Sequence, residues 1–380
     1  MNHTSFVVSI KQYLRLAVLA SMSLLLIAPG SAATNENPVG ITGTPKGVIA
    51  YAVTSLFWAI YETKGGKTEC PDGRNIDRRE QFKALFPTDK PTAEMVLKFD
   101  NSVWFPTELE DKFPFREAMG PISYGLNLDG KIGPNDFKSP DGEPGIDNQL
   151  YRAIGCIEGF RTSDNGIIQL FSDLMVRDTN YNRWMIELSG VDDLTNDDSV
   201  DVIAYRGLDN LVMDSTASEA VPGASQRIDV KRGAKFVHKF HGKIVDGVLI
   251  TDPTDFYFPW STAAGHATNF ATDEWFRDGR LRVKLTPERG EGLIAGYVDV
   301  DTWYNNTARN NSVLMAVAKY SGSSLYRALH RLADAYPDPQ TGANTAISAA
   351  LRAKFVRVFI NHSPSSATSS VASNPQELAR

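Results

Sequence analysis

The sequence predicts a mainly β protein, an antiparallel β-sandwich or barrel-like domain followed by a C-terminal helical pair. Three observations predict it: alternating apolar residues through the middle of the chain, an Asp-Gly turn between apolar runs, and a change to helical spacing near the end. The stretch "GVIAYAVTSLFWAIYET" (47–63) is rich in β-branched and aromatic residues and predicts one or two strands. A helix is its rival, because the run is apolar on nearly every face. "RWMIELSG" (183–190) alternates, and "SVDVIAYRG" (199–207) places Val200, Val202 and Ala204 on one face. In "GKIVDGVLITD" (242–252), Asp246-Gly247 predicts a type I′ hairpin, since both residues tolerate positive φ. "RLRVKLTPERGEGLIAGYVDVDTWY" (280–304) predicts another, with Leu281, Val283 and Leu285 alternating and Gly290 near the bend. Leu325, Leu329 and Leu332 then recur at helical spacing behind Ser323 and Ser324 as caps, with Pro337-Asp338-Pro339 as the stop. Ile347, Leu351, Phe355 and Phe359 predict a second helix.

The ends bound the compartment. Lys11 and Arg15 precede an apolar run from Leu16 to Ala28, with small Ser31 and Ala33 after it, the pattern of a cleavable export signal over 1–33 cut after Ala33. The run is about a dozen residues, short of the roughly 20 a membrane span needs, and no second apolar run approaches that length. The chain therefore divides into the signal (1–33), an N-terminal region (34–180), an antiparallel β region (181–304), the helical pair (305–362) and a polar tail expected to be disordered (363–380). The expected location is the periplasm or the extracellular space. The formal charge is −6, and loss of Lys11 and Arg15 without any acid takes it to −8. That balance argues against a nucleic-acid partner, which needs a basic surface.

Cys70 and Cys156 are the two cysteines. In an oxidising compartment such a pair reads as one disulfide, the alternative being two buried thiols. Neither has a near neighbour of the kind a metal knuckle or redox motif requires.

The chemistry-bearing stretch is "YGLNLDGKIGPNDFKSPDGEPGIDNQLYRAIGC" (124–156). Calcium takes six to eight oxygens from carboxylates, amides and backbone carbonyls. On "GLNLDGKIGPND", Asn127, Asp129, Lys131 (through its carbonyl) and Asp136 fall at positions three, five, seven and twelve of a twelve-residue loop, with Gly130 at the sixth and Ile132 at the eighth. In spacing this resembles the calcium loops of EF-hand and dockerin proteins. It departs from them at the first position, occupied by Gly125, and at the twelfth, where a short Asp replaces Glu. Asp141, Glu143 and Asp147 supply a second acidic group, and Gly142 and Gly145 let the chain fold back toward the first. Calcium is the expected cofactor. A solvated turn-rich loop is the alternative, and zinc is disfavoured because neither His nor Cys sits at ligand spacing. A further acidic run, Asp192, Asp193, Asp197 and Asp198, reads as a polar hairpin tip rather than an ion site.

The sequence contains no GxSxG, HExxH, CxxCH, SxxK or phosphate-loop motif. His238 and His241 are three apart on an expected strand and so face opposite ways, while His266 and His330 show no evident partner. Tyr257, Trp260, Trp303 and Tyr304 lie beside acids and amides, a sugar-binding combination, although aromatic strand ends more often belong to the core. The reading is an exported, calcium-stabilised binding or accessory protein whose partner is a glycan or another exported protein. A secreted calcium-dependent hydrolase of polysaccharide or ester substrates is the alternative.

Overall fold

The computed structural model describes residues 47–76, 78–109, 115–163, 166–231, 233–260, 272–307 and 318–362. The expected signal at 1–33, the expected tail at 363–380 and His266 lie outside the described residues. The chain is mainly β, 38% strand against 21% helix, and its centre is an eight-stranded antiparallel closed barrel.

Alternation builds the wall. In β1 (Val48–Trp58), Tyr51 and Val53 enter the main core while Ala50 and Ala52 face a smaller cluster on the other side. The helical alternative for this stretch is therefore excluded. β4 (Trp184–Ser189) and β5 (Asp197–Arg206) pair antiparallel and bury Trp184, Ile186, Leu188, Val200, Val202 and Ala204 in the same core. β6 (Ala224–Arg227) lies outside this run. β7 (His238–Val245) and β8 (Val248–Thr251) meet at the expected turn, where Asp246 and Gly247 have φ of 49° and 75°. The outward positions of β7 are Lys239, His241 and Lys243, all exposed, against inward Phe240 and Ile244. That is the reverse of the apolar outward band of a transmembrane barrel. Among the described residues no helix is long and apolar enough to cross a membrane.

β9 (Thr254–Trp260), β10 (Thr272–Leu285) and β11 (Arg289–Asp299) complete the middle. β10 pairs with β11 along one edge and, along the other, with β9 at Thr272–Gly279 and β8 at Arg282–Lys284; both edges are irregular near Gly279, between Phe276 and Gly279 toward β9 and between Arg277 and Arg280 toward β11. Gly279 is required there, since a Cβ would stand 2.2 Å from Phe256 Cε1. The last strands are β12 (Ala335–Pro337) and β13 (Asn344–Asn361). The barrel runs β1-β4-β5-β7-β8-β10-β11-β13 and closes where β13 pairs back onto β1, Leu351 opposite Trp58 and Val358 opposite Ala50. A barrel of eight strands is narrow enough for side chains to fill, and the large aromatics Trp58, Trp184, Phe256 and Phe276 pack in its core.

One expectation is overturned here. The predicted second helix, carried by Ile347, Leu351, Phe355 and Phe359, is the 18-residue strand β13. Positions four apart share a face in a strand as well as in a helix, so that spacing satisfies both periods. The intervening Ala349 and Ala353 also point into the core, which a helix would not allow. The first helix is present as Gly322–Leu332, but Ser321 caps it through its side-chain oxygen rather than Ser323 or Ser324. It ends at Leu332, and Pro337 already belongs to β12, so the prolines are not its stop.

Among the described residues the other α-helices are α1 (Arg78–Leu85), α2 (Ala93–Asn101), α3 (Gln149–Ile154), α4 (Ile167–Arg177) and α5 (Val300–Thr307), and Gly322–Leu332 is labelled α6. α3, α4, α5 and α6 bury Leu150, Ile168, Trp303 and Leu325 in the main core. The disulfide joins Cys70 to Cys156, as expected, with Cα atoms 5.7 Å apart. Beside it Arg161 and Glu69 form a buried ion pair at 2.6 Å, with Glu69 also accepting from Thr63 Oγ1 at 2.5 Å.

Candidate functional site

The acidic stretch folds as a loop laid on the outside of the barrel, and its apolar residues explain why. Leu126 and Leu128 pack with Ala295, Tyr297, Ala346 and Ala350 from β11 and β13. Arg280 of β10 then clasps the loop, donating to the carbonyls of Asn127 at 2.7 Å and Leu128 at 2.9 Å. Within the loop the acidic side chains accept from nearby backbone. Asp147 Oδ2 accepts the N–H of Leu128 at 2.6 Å and of Asp129 at 3.4 Å, so the end of the loop holds its beginning. Asp129 Oδ1 accepts from Lys131 N at 2.8 Å, and Asp136 accepts from Gly133 N. Asn127 accepts from Gly130 N at 2.7 Å and donates to the Lys131 carbonyl at 2.8 Å. Gly130 has a φ of 75°, the left-handed turn the template requires. Gly145 (φ 77°) lies against the first half of the loop, where a Cβ would come within 2.7 Å of Asn127 Nδ2 and Lys131 O.

The seven expected ligands separate. Asp129, Lys131, Asp136 and Asp147 line one cleft of about 930 Å³, with Asn127 bonded to the Lys131 carbonyl at its edge. Asp141 and Glu143 do not line it. β2 (Phe137–Lys138) and β3 (Pro144–Ile146) form a small hairpin with Asp141 exposed at its tip, and Glu143 is bound by Arg282 at 2.6 and 3.2 Å. That ion pair is exposed and pins the hairpin to β10 at little gain in stability. Among the described residues, no three His, Cys, Asp or Glu side chains converge as a ready metal site.

The rest of the lining comes from residues that no local motif marked. Asp334, Tyr336, Asp278, Tyr297 and Arg331 line the same cleft. Asp334 accepts from the backbone and hydroxyl of buried Ser348 at 2.7 and 2.6 Å, and the Ser348 hydroxyl also accepts from Gln149 N at 2.9 Å, opening α3. Arg331 is paired with Glu117, and Tyr336 donates to Asp278 at 2.6 Å.

Charge accumulates in this cleft. Asp147 is held above the usual carboxylate range, first by burial, with the charges of Asp129 and Asp136 adding to it against the hydrogen bond from Leu128. Asp334 keeps solvent contact within the cleft, yet protein atoms crowd it on most sides. That crowding, with the charge of Asp147 adding and the Ser348 bonds opposing, pushes it up to about 6. Burial, and then the bond to Asp278, raises Tyr336 to about 12. The site thus gathers carboxyls that disfavour one another's charge, an arrangement that a bound cation or a protonated state relieves.

The remaining expectations sort simply. Asp192, Asp193 and Asp197 form the polar tip of the β4–β5 hairpin, where Asp197 accepts from the backbone of Asp192 at 2.7 Å and Ser199 at 3.1 Å. These bonds hold the Asp197 carboxyl below its usual range. His330, for which no partner was expected, lies 3.2 Å from Asp301. Trp260, Trp303 and Tyr304 are core residues, at most 1% exposed, and leave the sugar-binding list; Tyr257 is half-buried on the outer face of β9.

Fold and site together define a class: a closed eight-stranded antiparallel barrel with an acidic cleft built on its outer wall. No family model, curated protein or solved structure matches this chain.

Proposed function

We propose that this is an exported, calcium-stabilised β-barrel binding or accessory protein, and that the acidic cleft is where calcium and ligand meet. The observation that carries the reading is that Asp129, Lys131, Asp136 and Asp147 line one cleft, with Asp147 only 6% exposed. The donors are all oxygen, the set a hard cation such as calcium prefers, and they include the Lys131 carbonyl and the Asn127 amide. Asn127, Asp129, Lys131, Asp136 and Asp147 would hold the ion, exchanging hydrogen bonds to their own loop for it. Asp141 and Glu143 leave the set. The ion would neutralise carboxylates and order the cleft that Asp334 also lines. Export accords with the signal pattern at 1–33 and with the disulfide, which persists in oxidising compartments.

One observation favours the second reading, a calcium-dependent hydrolase of polysaccharide or ester substrates: Asp147 and Asp334 face one cleft, and glycoside hydrolysis uses paired carboxyls. Thermal melts in chelator, calcium and magnesium test the calcium reading. A rise with calcium and little with magnesium supports it, since magnesium sheds its water reluctantly. A midpoint indifferent to millimolar calcium after full chelation refutes it. Turnover on a panel of glycoside and ester substrates would replace the binding reading with the hydrolase.

A further inference from the structure

We infer that the outer face of β9 and β10 is a glycan-binding strip leading into the cleft, with Tyr257 and Trp275 as its platform. This rests on the binding-protein reading above and names the ligand class. Tyr257 and Trp275 are register partners across the two strands, their ring centroids 6.1 Å apart and their planes 20° from parallel. The Arg277 guanidinium lies over the Trp275 ring, 5.2 Å from its centroid, and over the Tyr336 ring at 3.7 Å, and Lys235 Nζ lies over the Tyr257 ring at 4.4 Å, so cations border the rings. Tyr336 contacts Tyr297, and both line the cleft. Planar groups therefore run in contact from Tyr257 to the cleft.

Arg277 supplies an independent sign of function. Its Nε and Nη2 are buried without a hydrogen-bond partner among the described residues. The ring faces of Trp275 and Tyr336 hold the guanidinium in place of hydrogen bonds at those two donors, which leaves them for a ligand's oxygens. Acceptors flank the strip: Asp273, paired with Lys235 at 2.7 Å; Asp255, accepting from Asp278 N at 2.9 Å; and Asp278 itself.

The chemistry selects the occupant. A sugar ring has an apolar face of C–H groups and a rim of hydroxyls, which match flat rings edged by carboxylates. Three acids against Lys235 and Arg277 leave little net charge, which suits a neutral chain. A protein partner fits poorly. Trp275 is the exposed large apolar side chain on β10 and β11, at 37%. Two aromatic rings offer at most about 300–500 Å², against the roughly 800 Å² per partner of a stable protein interface.

Affinity electrophoresis of the full chain in gels containing soluble neutral polysaccharides (β-glucan, xylan, mannan, dextran) or the acidic alginate tests the strip. At least one neutral polysaccharide should retard the protein. Trp275→Ala should weaken that retention about tenfold or more, with Trp275→Tyr restoring most of it. Tyr257→Ala should weaken it too, whereas Trp104→Ala, which removes the other exposed tryptophan (45%), should not. Melting midpoints of the variants close to that of the parent confirm folding. No retardation by any polysaccharide, wild-type retention in both Trp275→Ala and Tyr257→Ala, or a concentration-dependent dimer that Trp275→Ala dissociates would each overturn the strip. Retention that persists in chelator, with melts blind to calcium, would remove the calcium reading and leave the strip standing. Calcium-dependent retention that ignores both platform variants would do the reverse.

Discussion

Replacing Asp147 by Asn separates the two roles of this carboxylate. Its Oδ2 accepts from Leu128 N at 2.6 Å and Asp129 N at 3.4 Å, and an amide oxygen of the same shape can accept both. What the substitution removes is a charge the fold disfavours, since burial and then the charges of Asp129 and Asp136 hold the carboxyl above its usual range. An acid with a raised folded-state pKa binds its proton more tightly folded than unfolded. Its penalty is absent below the unfolded value, near 4, and grows as pH rises through the raised one. In chelator at pH 7, Asp147→Asn should therefore melt at or above the wild type. Calcium should reverse the order. At a hundredfold excess over Kd, an ion bound only by the folded chain adds about 2.7 kcal/mol. With an unfolding entropy of about 2.1 cal/mol/K per residue over roughly 300 ordered residues, that is a rise of about 4 °C. The wild type should show this rise and Asp147→Asn should lose most of it. Circular-dichroism melts from pH 4 to 8, in chelator and in calcium, provide the assay. A variant that melts well below the wild type in chelator, or keeps the full calcium shift, would refute the reasoning.

Four further outcomes are expected. Asp129→Ala removes most of the calcium gain while Asp198→Ala, at the separate hairpin tip, leaves it intact in the same melts; equal loss from both would remove the loop from the account. Thiol labelling of the unfolded, unreduced protein finds neither Cys70 nor Cys156 free, and replacing both with Ala costs up to about 4–5 kcal/mol by loop-closure entropy in urea titrations. Arg280→Met, which deletes two guanidinium hydrogen bonds to the loop, costs about 2–3 kcal/mol by urea titration; no loss would show the loop held by Leu126 and Leu128 alone. Asp334, with its pKa raised to about 6, should lower stability as pH climbs from about 4 through 6, and Asp334→Asn should flatten that decline in pH-dependent melts.

Features that depend on neighbours in the chain were legible in the sequence. The strands at 184–189 and 197–206, the Asp246-Gly247 turn, the hairpin around Gly290 and the helix through Leu325 and Leu329 all follow from local period and turn chemistry. The same holds for Gly130 and for the half of the loop that includes Asp129 and Asp136. The spacing of Ile347, Leu351 and Phe355 misled because it fits two periods at once, and only the pairing of β13 with β1 and β11 chose between them.

Tertiary structure decided what depends on distant partners. Barrel rather than sandwich turns on Leu351 meeting Trp58, positions nearly 300 residues apart, and no local signal encodes that closure. Glu143 went to Arg282 and not to the ion loop because the β2–β3 hairpin lies against β10. Asp334, Tyr336 and Arg280 reached the acidic loop because β10 and the turn before β12 flank the face on which Leu126 and Leu128 dock. The aromatics divided for the same reason: Trp260 and Trp303 are nearly fully buried, while Trp275 faces outward by the parity of its strand. The sequence by itself determined the supply of oxygens, the turns and the strand periods, all governed by bonds along the chain. Which oxygens and rings share a surface was decided by how the sheet closed on itself, because closure sets which distant residues become neighbours.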